Sequence, residues 1–519
     1  MKYLAKCITL MTILLYTASG AYAAEVEAIL SGNGPKYGGP VIAEVDGNTA
    51  NGKEVVVASA NGIVSAVSAS GVVLWETSLS IASCTTLSGN NRVISAPAVG
   101  ALLGNGVNYV VVGYGGIAGK ECGGGVVALH GPTGALLWNF DLKSFAAKRR
   151  IFAVSHSVIS SPSLYDFDGD GKLEVTFGAL DRNVYMLNSS GQVKGYYQAA
   201  DTVFSSSAIA DVNSSGSAEV IIGTDISLNK KLRPPTPNGG YLYALKSELF
   251  KNGRPIGFRQ TGSAVWRKQF DQVVQSSPTI GELISSNAGL EVVSATGCFF
   301  PQESTDKRGR YLKIFSLKTG RLLRTVALST CTNSEAAISD VDGDGFNDVV
   351  IPVQTLSQYG GSGPSQVVAY NPESNRTLWT ANPYVAGSNS RELALFSGLA
   401  VADLDKNGSL EVLVATSRGL AVLAGATGAS LSCEERSCAD GRPSFTGFST
   451  LRDSPAVGDL DGDNKLDVVL AGSSEDGGKV KIFSAIGDEI RSLPGNSTEF
   501  TPWPMFRNSP AHLGVKGGG

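Results

Sequence analysis

The chain has 519 residues, enough for two to five compact domains or one large repeat architecture at roughly 100 to 200 residues per domain. Charged residues make up 17% and glycine accounts for 63 positions, which excludes a coiled coil, a charge-rich disordered chain and a long-helix bundle, and leans all-β. The formal charge of −4 offers no polybasic surface, so nucleic acid and anionic lipid are not expected partners.

Residues 1–23 carry Lys2 and Lys6, then the apolar run Ile8 to Tyr16, then Ala21-Tyr22-Ala23. This is the charged, hydrophobic and small-residue order of a secretory signal peptide, with cleavage expected after Ala23. The run is too short to span a bilayer, and no later stretch reaches eighteen consecutive apolar residues. The reading is an exported chain: secreted, periplasmic or cell-surface. Cys7 leaves with the leader. The six remaining cysteines, Cys84, Cys122, Cys298, Cys331, Cys433 and Cys438, are an even set in an oxidising compartment and favour disulfides. On spacing alone only Cys433 with Cys438 is close enough to propose.

From residue 24 to 495 one pattern recurs eight times, in units near 40–80, 95–142, 160–198, 205–271, 276–328, 334–381, 397–432 and 453–494. Each unit opens with a short strand of small residues, such as Pro162 to Tyr165, Ala336 to Ser339, Gly398 to Ala402 or Pro455 to Gly458. An acidic turn follows, then a β-branched run such as Glu174-Val-Thr-Phe or Asp348-Val-Val-Ile. A second hairpin then turns at a glycine (Gly71, Gly134, Gly191, Gly320, Gly428, Gly487), where positive φ comes at little steric cost. Four outer strands carry tryptophan, Trp75, Trp138, Trp266 and Trp379, placed to pack one sheet against the next. Four short antiparallel strands per unit without helical periodicity predict an all-β fold, a β-propeller of four-stranded blades. Eight blades is the count, with seven left open. Residues 496–519, with Trp503, are a C-terminal tail expected to pack on the closed ring.

Four acidic turns share the spacing D-x-D-x-[DN] with a fourth carboxylate at position nine: Asp166, Asp168, Asp170 and Glu174; Asp340, Asp342, Asp344 and Asp348; Asp403, Asp405, Asn407 and Glu411; Asp459, Asp461, Asp463 and Asp467. Alternate residues of a tight loop converge three side-chain oxygens, position nine adds a fourth, and the position-seven carbonyl (Lys172, Phe346, Ser409, Lys465) completes an oxygen cage. Such a cage suits Ca²⁺, about four structural ions in all. Gly171, Gly345 and Gly408 at position six permit the bend, with Asn464 as the next best residue. An EF-hand is excluded because position twelve holds Phe177, Ile351, Val414 and Leu470 instead of glutamate. The turn at Asp211, Asn213, Ser215 and Glu219 keeps the spacing with weaker ligands. Three turns read as lacking a site: Glu44 to Glu54 is interrupted, Ala101 to Asn108 has no carboxylate, and Glu282 to Glu291 has lost its central acids.

Over residues 40–490, through its small strand, D-x-D-x-D-G-x-x-[DE] and apolar strand, the chain resembles the FG-GAP and VCBS repeat proteins, including the integrin α-subunit propellers. That resemblance implies structural Ca²⁺ in the loop between the first two strands of a blade. The glycine turns, the tryptophan-bearing outer strands and the Trp503 tail also look like propellers of the pyrroloquinoline-quinone type. No adjacent Cys-Cys pair or other cofactor constellation accompanies them, so the quinone is not expected.

In an up-and-down blade the acidic and glycine turns share one face. The other face collects the long insertions Ile81 to Asn91, Tyr114 to Gly124, Asp225 to Gly239, Gly297 to Arg308, Gln354 to Pro364, Pro383 to Arg391 and Cys433 to Thr450. Flanking the same blades, Cys84 with Cys122 and Cys298 with Cys331 are the expected pairs. That face, with Phe299, Phe300, Lys307, Arg308 and Tyr359, is the expected surface for a protein or carbohydrate ligand, in adhesion or envelope assembly. His130, His156 and His512 form no triad or zinc spacing, and no G-x-S-x-G, H-E-x-x-H or phosphate-cradling loop is present, so no enzyme is expected. A glycosidase or lyase, which needs only a few carboxylates, and a purely structural envelope protein stay open as alternatives.

Overall fold

The computed structural model describes residues 24–516, apart from 36–37, 80–94, 117–122, 152, 154, 226–238, 251–254, 257–263, 298–308, 354–364, 384–397, 417–418, 434–441, 450, 452, 485, 491–493, 496, 498–500, 506 and 510–511. The expected signal peptide and most of the long insertions, including Phe299, Phe300, Lys307, Arg308 and Tyr359, lie outside the described residues. So do Cys84, Cys122, Cys298 and Cys438, and with them the expected pairings. Cys331, which is fully buried, and Cys433 are both disulfide-bonded. No helix among the described residues is long and apolar enough to cross a membrane.

The strands form eight sheets. Seven occupy 41–78, 98–141, 163–198, 208–269, 279–327, 337–381 and 400–446, and the eighth combines 456–484 with Ala24–Leu30. Each sheet begins with a three-residue strand, Val41–Ala43, Ala98–Gly100, Ser163–Tyr165, Ala208–Ala210, Thr279–Gly281, Ala337–Ser339, Ala400–Ala402 or Ala456–Gly458. These first strands touch one another in series, and the eighth touches the first, which closes an eight-bladed β-propeller. Small side chains are required where eight strands converge. The second strands, such as Glu54–Ala58 and Glu411–Ala415, are buried at every position because a blade packs against a neighbour on both faces. This explains why their sequences read as continuous β-branched runs without polar alternation.

Blade 8 departs from expectation. Gly487 does not turn into an outer strand; residues Ile486–Asp488 form a 3-10 turn. The fourth strand is instead Ala24–Leu30, antiparallel to Gly477–Ser484 from the other end of the chain, with Ala24 opposite Ser484 and Leu30 opposite Gly478. Lys481, almost fully buried, pairs with Glu25 and Glu27, the latter at 3.1 Å. Two further additions were not legible: Pro255–Ile256, which adds a parallel fifth strand to blade 3, and the α-helix Leu142–Arg149, capped by Asp141 through Ser144 N at 2.9 Å.

The tryptophans pack blade on blade, as expected. Trp75, Trp138, Trp266 and Trp379 donate Nε1–H to the carbonyls of Gly131, Ser189, Leu317 and Gly425 in the following blade, at 2.8, 2.9, 2.7 and 2.6 Å. Their rings lie on Gly134, Gly191, Gly320 and Gly428, where a Cβ would sit within 2.8 Å of the indole. Register shows that the position exists in blades without tryptophan. Each tryptophan lies opposite the residue preceding a bulge, and at the same register blade 3 has Gly195 and blade 5 has Arg324. Arg324 Nε donates to Pro372 O at 3.1 Å, doing the indole's work with a guanidinium, while Gly195 makes room for the backbone of Phe250.

The tail packs on the ring, and it does so across the axis. Trp503 pairs with Val401 of blade 7, Pro504 O accepts from Val457 N of blade 8, Leu513 O from Ile209 N of blade 4, and Gly514 O from Ile280 N of blade 5. Arg507 and His512, fully buried, lie between these contacts. Arg507 Nη1 donates to Pro278 O and to Glu335 Oε2 at 2.7 and 3.0 Å, and Nη2 donates to Ser207 O at 2.7 Å, so one guanidinium joins blades 4, 5 and 6.

Candidate metal sites in the acidic turns

The acidic turns join first and second strands, so topology places all of them on one face around the axis. Neighbouring turns are tied together: Lys53 N donates to Leu460 O at 2.7 Å, Leu173 N to Leu102 O at 3.1 Å, and Asn347 Nδ2 to Glu282 O at 2.9 Å.

Local geometry follows from the first residue of each turn. Asp166 Oδ1 accepts from Gly169 N at 2.7 Å and Oδ2 from Gly171 N at 2.9 Å, while Glu174 Oε2 accepts from Phe167 N at 2.9 Å. Asp340, Asp403 and Asp459 repeat the bond to position six, from Gly345, Gly408 and Asn464 at 2.9, 2.8 and 3.0 Å. Position six has positive φ throughout, as expected. Position four does too, at Gly169, Gly343, Lys406 and Gly462, a requirement that sequence reasoning missed. The backbone alone does not define a site, since the turn at Ala101 to Asn108 bends the same way at Gly104 and Gly106 with no carboxylate. What distinguishes the acidic turns is convergence of charge.

Among the described residues, ligand atoms of Asp166, Asp168 and Glu174 lie within 4.8 Å of one another, as do those of Asp340, Asp342 and Asp344, of Asp403, Asp405 and Glu411, and of Asp459, Asp461 and Asp467. These groups are able to hold a metal. Position five behaves less uniformly than expected: Asp344 joins its cluster and Asp170 and Asp463 do not, although the bonding is alike, with Asp170 and Asp463 accepting from the N–H of Lys172 and Lys465 at 2.8 and 2.7 Å. The N–H of Phe346 and Ser409 make the same bond to Asp344 and Asn407. Asp348 stays outside its cluster's close group; its Oδ2 accepts from Val341 N at 3.0 Å, and its Oδ1 is buried with no partner among the described residues.

Crowding the carboxyls shows in their acidity. Burial, then the charges of Asp342 and its neighbours, pushes Asp348 up to about 8, and burial pushes Asp467 up to about 6 against the hydrogen bond from Leu460 N. A divalent cation would supply the missing counter-charge and reverse that preference. In blade 3 a counter-charge is already present: Lys194 Nζ bonds to Asp168 and, at 3.0 Å, to Glu174. The weaker turn holds together as well, with Asp211 Oδ2 accepting from Gly216 N at 2.7 Å and Asn213 Nδ2 donating to Glu219 Oε1 at 3.1 Å.

The turn at Glu44 to Glu54 corrects the sequence reading. A two-residue insertion, absorbed in the 3-10 turn Thr49–Asn51, hides the spacing, yet Glu44, Asp46 and Glu54 bring ligand atoms within 4.8 Å of one another.

The histidines sit apart from these turns' carboxyl clusters. His512 Nδ1 lies 3.0 Å from Pro162 O, and burial, then Arg507, lowers its pKa to about 3. His130 lies 2.9 Å from Thr133 Oγ1 and edge-on to Tyr109.

With this geometry in place, comparison with known proteins separates fold from lineage. Residues 40–156 match a family model described as outer membrane protein assembly factor BamB. No curated protein matches. Among solved structures, the quinohemoprotein alcohol dehydrogenase ADHIIG from Pseudomonas putida HK5 is similar at 12% identity and a TM-score of 0.55, covering 92% of this chain and 78% of that one. A europium-containing methanol dehydrogenase is similar at 11% identity and 0.52, covering 88% and 92%. BamB from Moraxella catarrhalis is similar at 14% identity and 0.49, covering 89% and 96%. Identities this low show the fold alone.

These findings overturn the FG-GAP and VCBS resemblance. The family model that matches, over residues 40–156, is that of BamB and not an integrin-like repeat, and the similar solved structures share the propeller fold. The error has a physical origin. D-x-D-x-D-G reports the chemistry of one turn, which any blade can carry, so its recurrence does not identify a family.

Proposed function

We propose that this chain is an exported propeller of the cell envelope that binds a protein partner through the rim opposite the acidic turns, with Ca²⁺ held in the four D-x-D turns as a structural ion. Blades at 24–495 form one binding unit, and the tail at 496–519 belongs to it. The observation that carries the reading is the tail itself. It lies against the first strands, with bonds such as Arg507 to Glu335, so its described residues occupy the inner strands and favour the rim and its loops as the ligand surface. The match of residues 40–156 to a factor named for outer membrane protein assembly supports a protein as the partner and the envelope as the place.

Site-specific photocrosslinking tests this. A crosslinker at Ser329, beside the second-to-third-strand hairpins, is expected to capture a discrete envelope protein, and one at Asn375, on the acidic-turn face, is not. Equal labelling from both faces would count against the assigned rim. Binding on a glycan array without protein crosslinks would move the ligand to carbohydrate, and release of reducing or unsaturated ends from polysaccharide would replace binding by catalysis.

A further inference from the structure

We propose that the turn at residues 44–54 is a further cation site, in which Glu44, Asp46 and Glu54 hold a hard divalent cation such as Ca²⁺ beside the blade that closes the ring. The inference rests on the same reading of these turns as cation cradles, but on different residues and a spacing that does not match the D-x-D pattern.

Three observations carry it. First, the hydrogen bonding reproduces that of the D-x-D turns despite the insertion: Gly47 N donates to Glu44 Oε1 at 2.8 Å, as Gly169 N does to Asp166, and Val45 N donates to Glu54 Oε2 at 2.8 Å, as Phe167 N does to Glu174. Second, Glu54 is fully buried, and its Oε1 has no hydrogen-bond partner among the described residues. The other oxygen is already committed to Val45 N and Asp46 N, so the orphan oxygen belongs to the carboxyl that converges with Glu44 and Asp46 to within 4.8 Å. A buried carboxylate oxygen without a partner costs free energy that an ion would recover. Third, among the described residues no ammonium or guanidinium bonds to these three carboxyls, in contrast to Lys194 in blade 3. Donors that are all oxygen favour Ca²⁺ or a similar hard ion over zinc or copper.

The position has a consequence for the ring. Lys53 N donates to Leu460 O, and Leu460 N donates to Asp467 Oδ2 at 2.8 Å, so this cluster and the one at Asp459, Asp461 and Asp467 are coupled across the seam between blades 1 and 8. An ion in each would pin the seam from both sides.

Equilibrium dialysis of the full mature chain against millimolar Ca²⁺, with bound metal counted by mass spectrometry, tests the site. Glu54→Gln and Asp46→Ala are each expected to carry one Ca²⁺ fewer per chain than the unaltered protein, with unchanged circular dichroism. If Glu54→Gln does not fold, Asp46→Ala, whose side chain is partly exposed, decides. Asp459→Ala is the control for the D-x-D turns. Should both blade 1 variants carry the full complement while Asp459→Ala carries one fewer, the new site is overturned and the D-x-D reading survives. If the unaltered chain carries none, both fall.

Discussion

Arg507 and Glu335, both fully buried, meet through two hydrogen bonds, from Arg507 N to Oε1 at 2.7 Å and from Nη1 to Oε2 at 3.0 Å. Burial alone pushes the Glu335 carboxyl up, and Arg507 opposes that shift. Removing one partner strands a charge in the interior. Glu335→Ala is therefore expected to destabilise by about 3 to 5 kcal/mol, while Glu335→Met with Arg507→Met recovers much of the loss. Denaturant unfolding of the two variants beside the unaltered chain checks this. Equal damage in single and double variants would show that Arg507 acts through the Ser207 and Pro278 carbonyls instead.

The tail must also come close to itself. Gly514 has φ of +65°, and a Cβ there would lie 2.0 Å from Arg507 Nη2. Gly514→Ala should release the tail, read as faster cleavage near the C-terminus in limited proteolysis while the blades stay resistant.

Between blades, Trp379→Phe keeps most of the packing and loses the bond to Gly425 O, a cost of about 1 kcal/mol, whereas Trp379→Ala should cost about 3 to 5 kcal/mol. Thermal melts resolve the two. A Phe variant as damaging as Ala would mean that the carbonyl contact, not the ring on Gly428, holds the blades.

Asp181 gives the pH dependence. Burial raises its carboxyl from 3.8 to about 6, against hydrogen bonds from Tyr185 Oη at 2.5 Å and from Asn183. A raised acid pKa favours the protonated folded state, so the stabilisation is fully present below 3.8 and is lost as pH rises through about 6. Asp181→Asn should therefore be more stable than the unaltered chain at pH above 7, by up to about 3 kcal/mol, with the difference shrinking toward pH 4. Unfolding curves across that range that stay parallel would refute it.

For the metal, chelation is expected to lower the melting temperature, and Asp461→Ala to blunt the response. Lys194→Met should strengthen Ca²⁺ binding at the blade 3 turn by removing the resident ammonium, and a titration showing no gain would mean that Lys194 yields to the ion without cost.

How much of this was legible depends on the range of the interaction. The repeat of small strand, acidic turn and β-branched run is local, so the blades, the tryptophan packing and the places of the four acidic turns could be read directly. What escaped was set by distant partners or by register. Arg324 stands in for tryptophan only by its place opposite Ile314, and nothing in its neighbourhood says so. The cluster at Glu44, Asp46 and Glu54 was masked by two inserted residues that a 3-10 turn absorbs. The overturned FG-GAP and VCBS resemblance came from weighting a turn motif that any blade can carry.

Ala24–Leu30 completes the last blade, and its Glu27 meets Lys479 at a separation of 452 positions. The first strand of the ring to be synthesised therefore has no partner until nearly the whole molecule has followed it. Until then its unpaired edge is a hazard for misassociation, and final zipping of that strand should be the slow, late event in folding, sensitive to whatever attends the nascent chain.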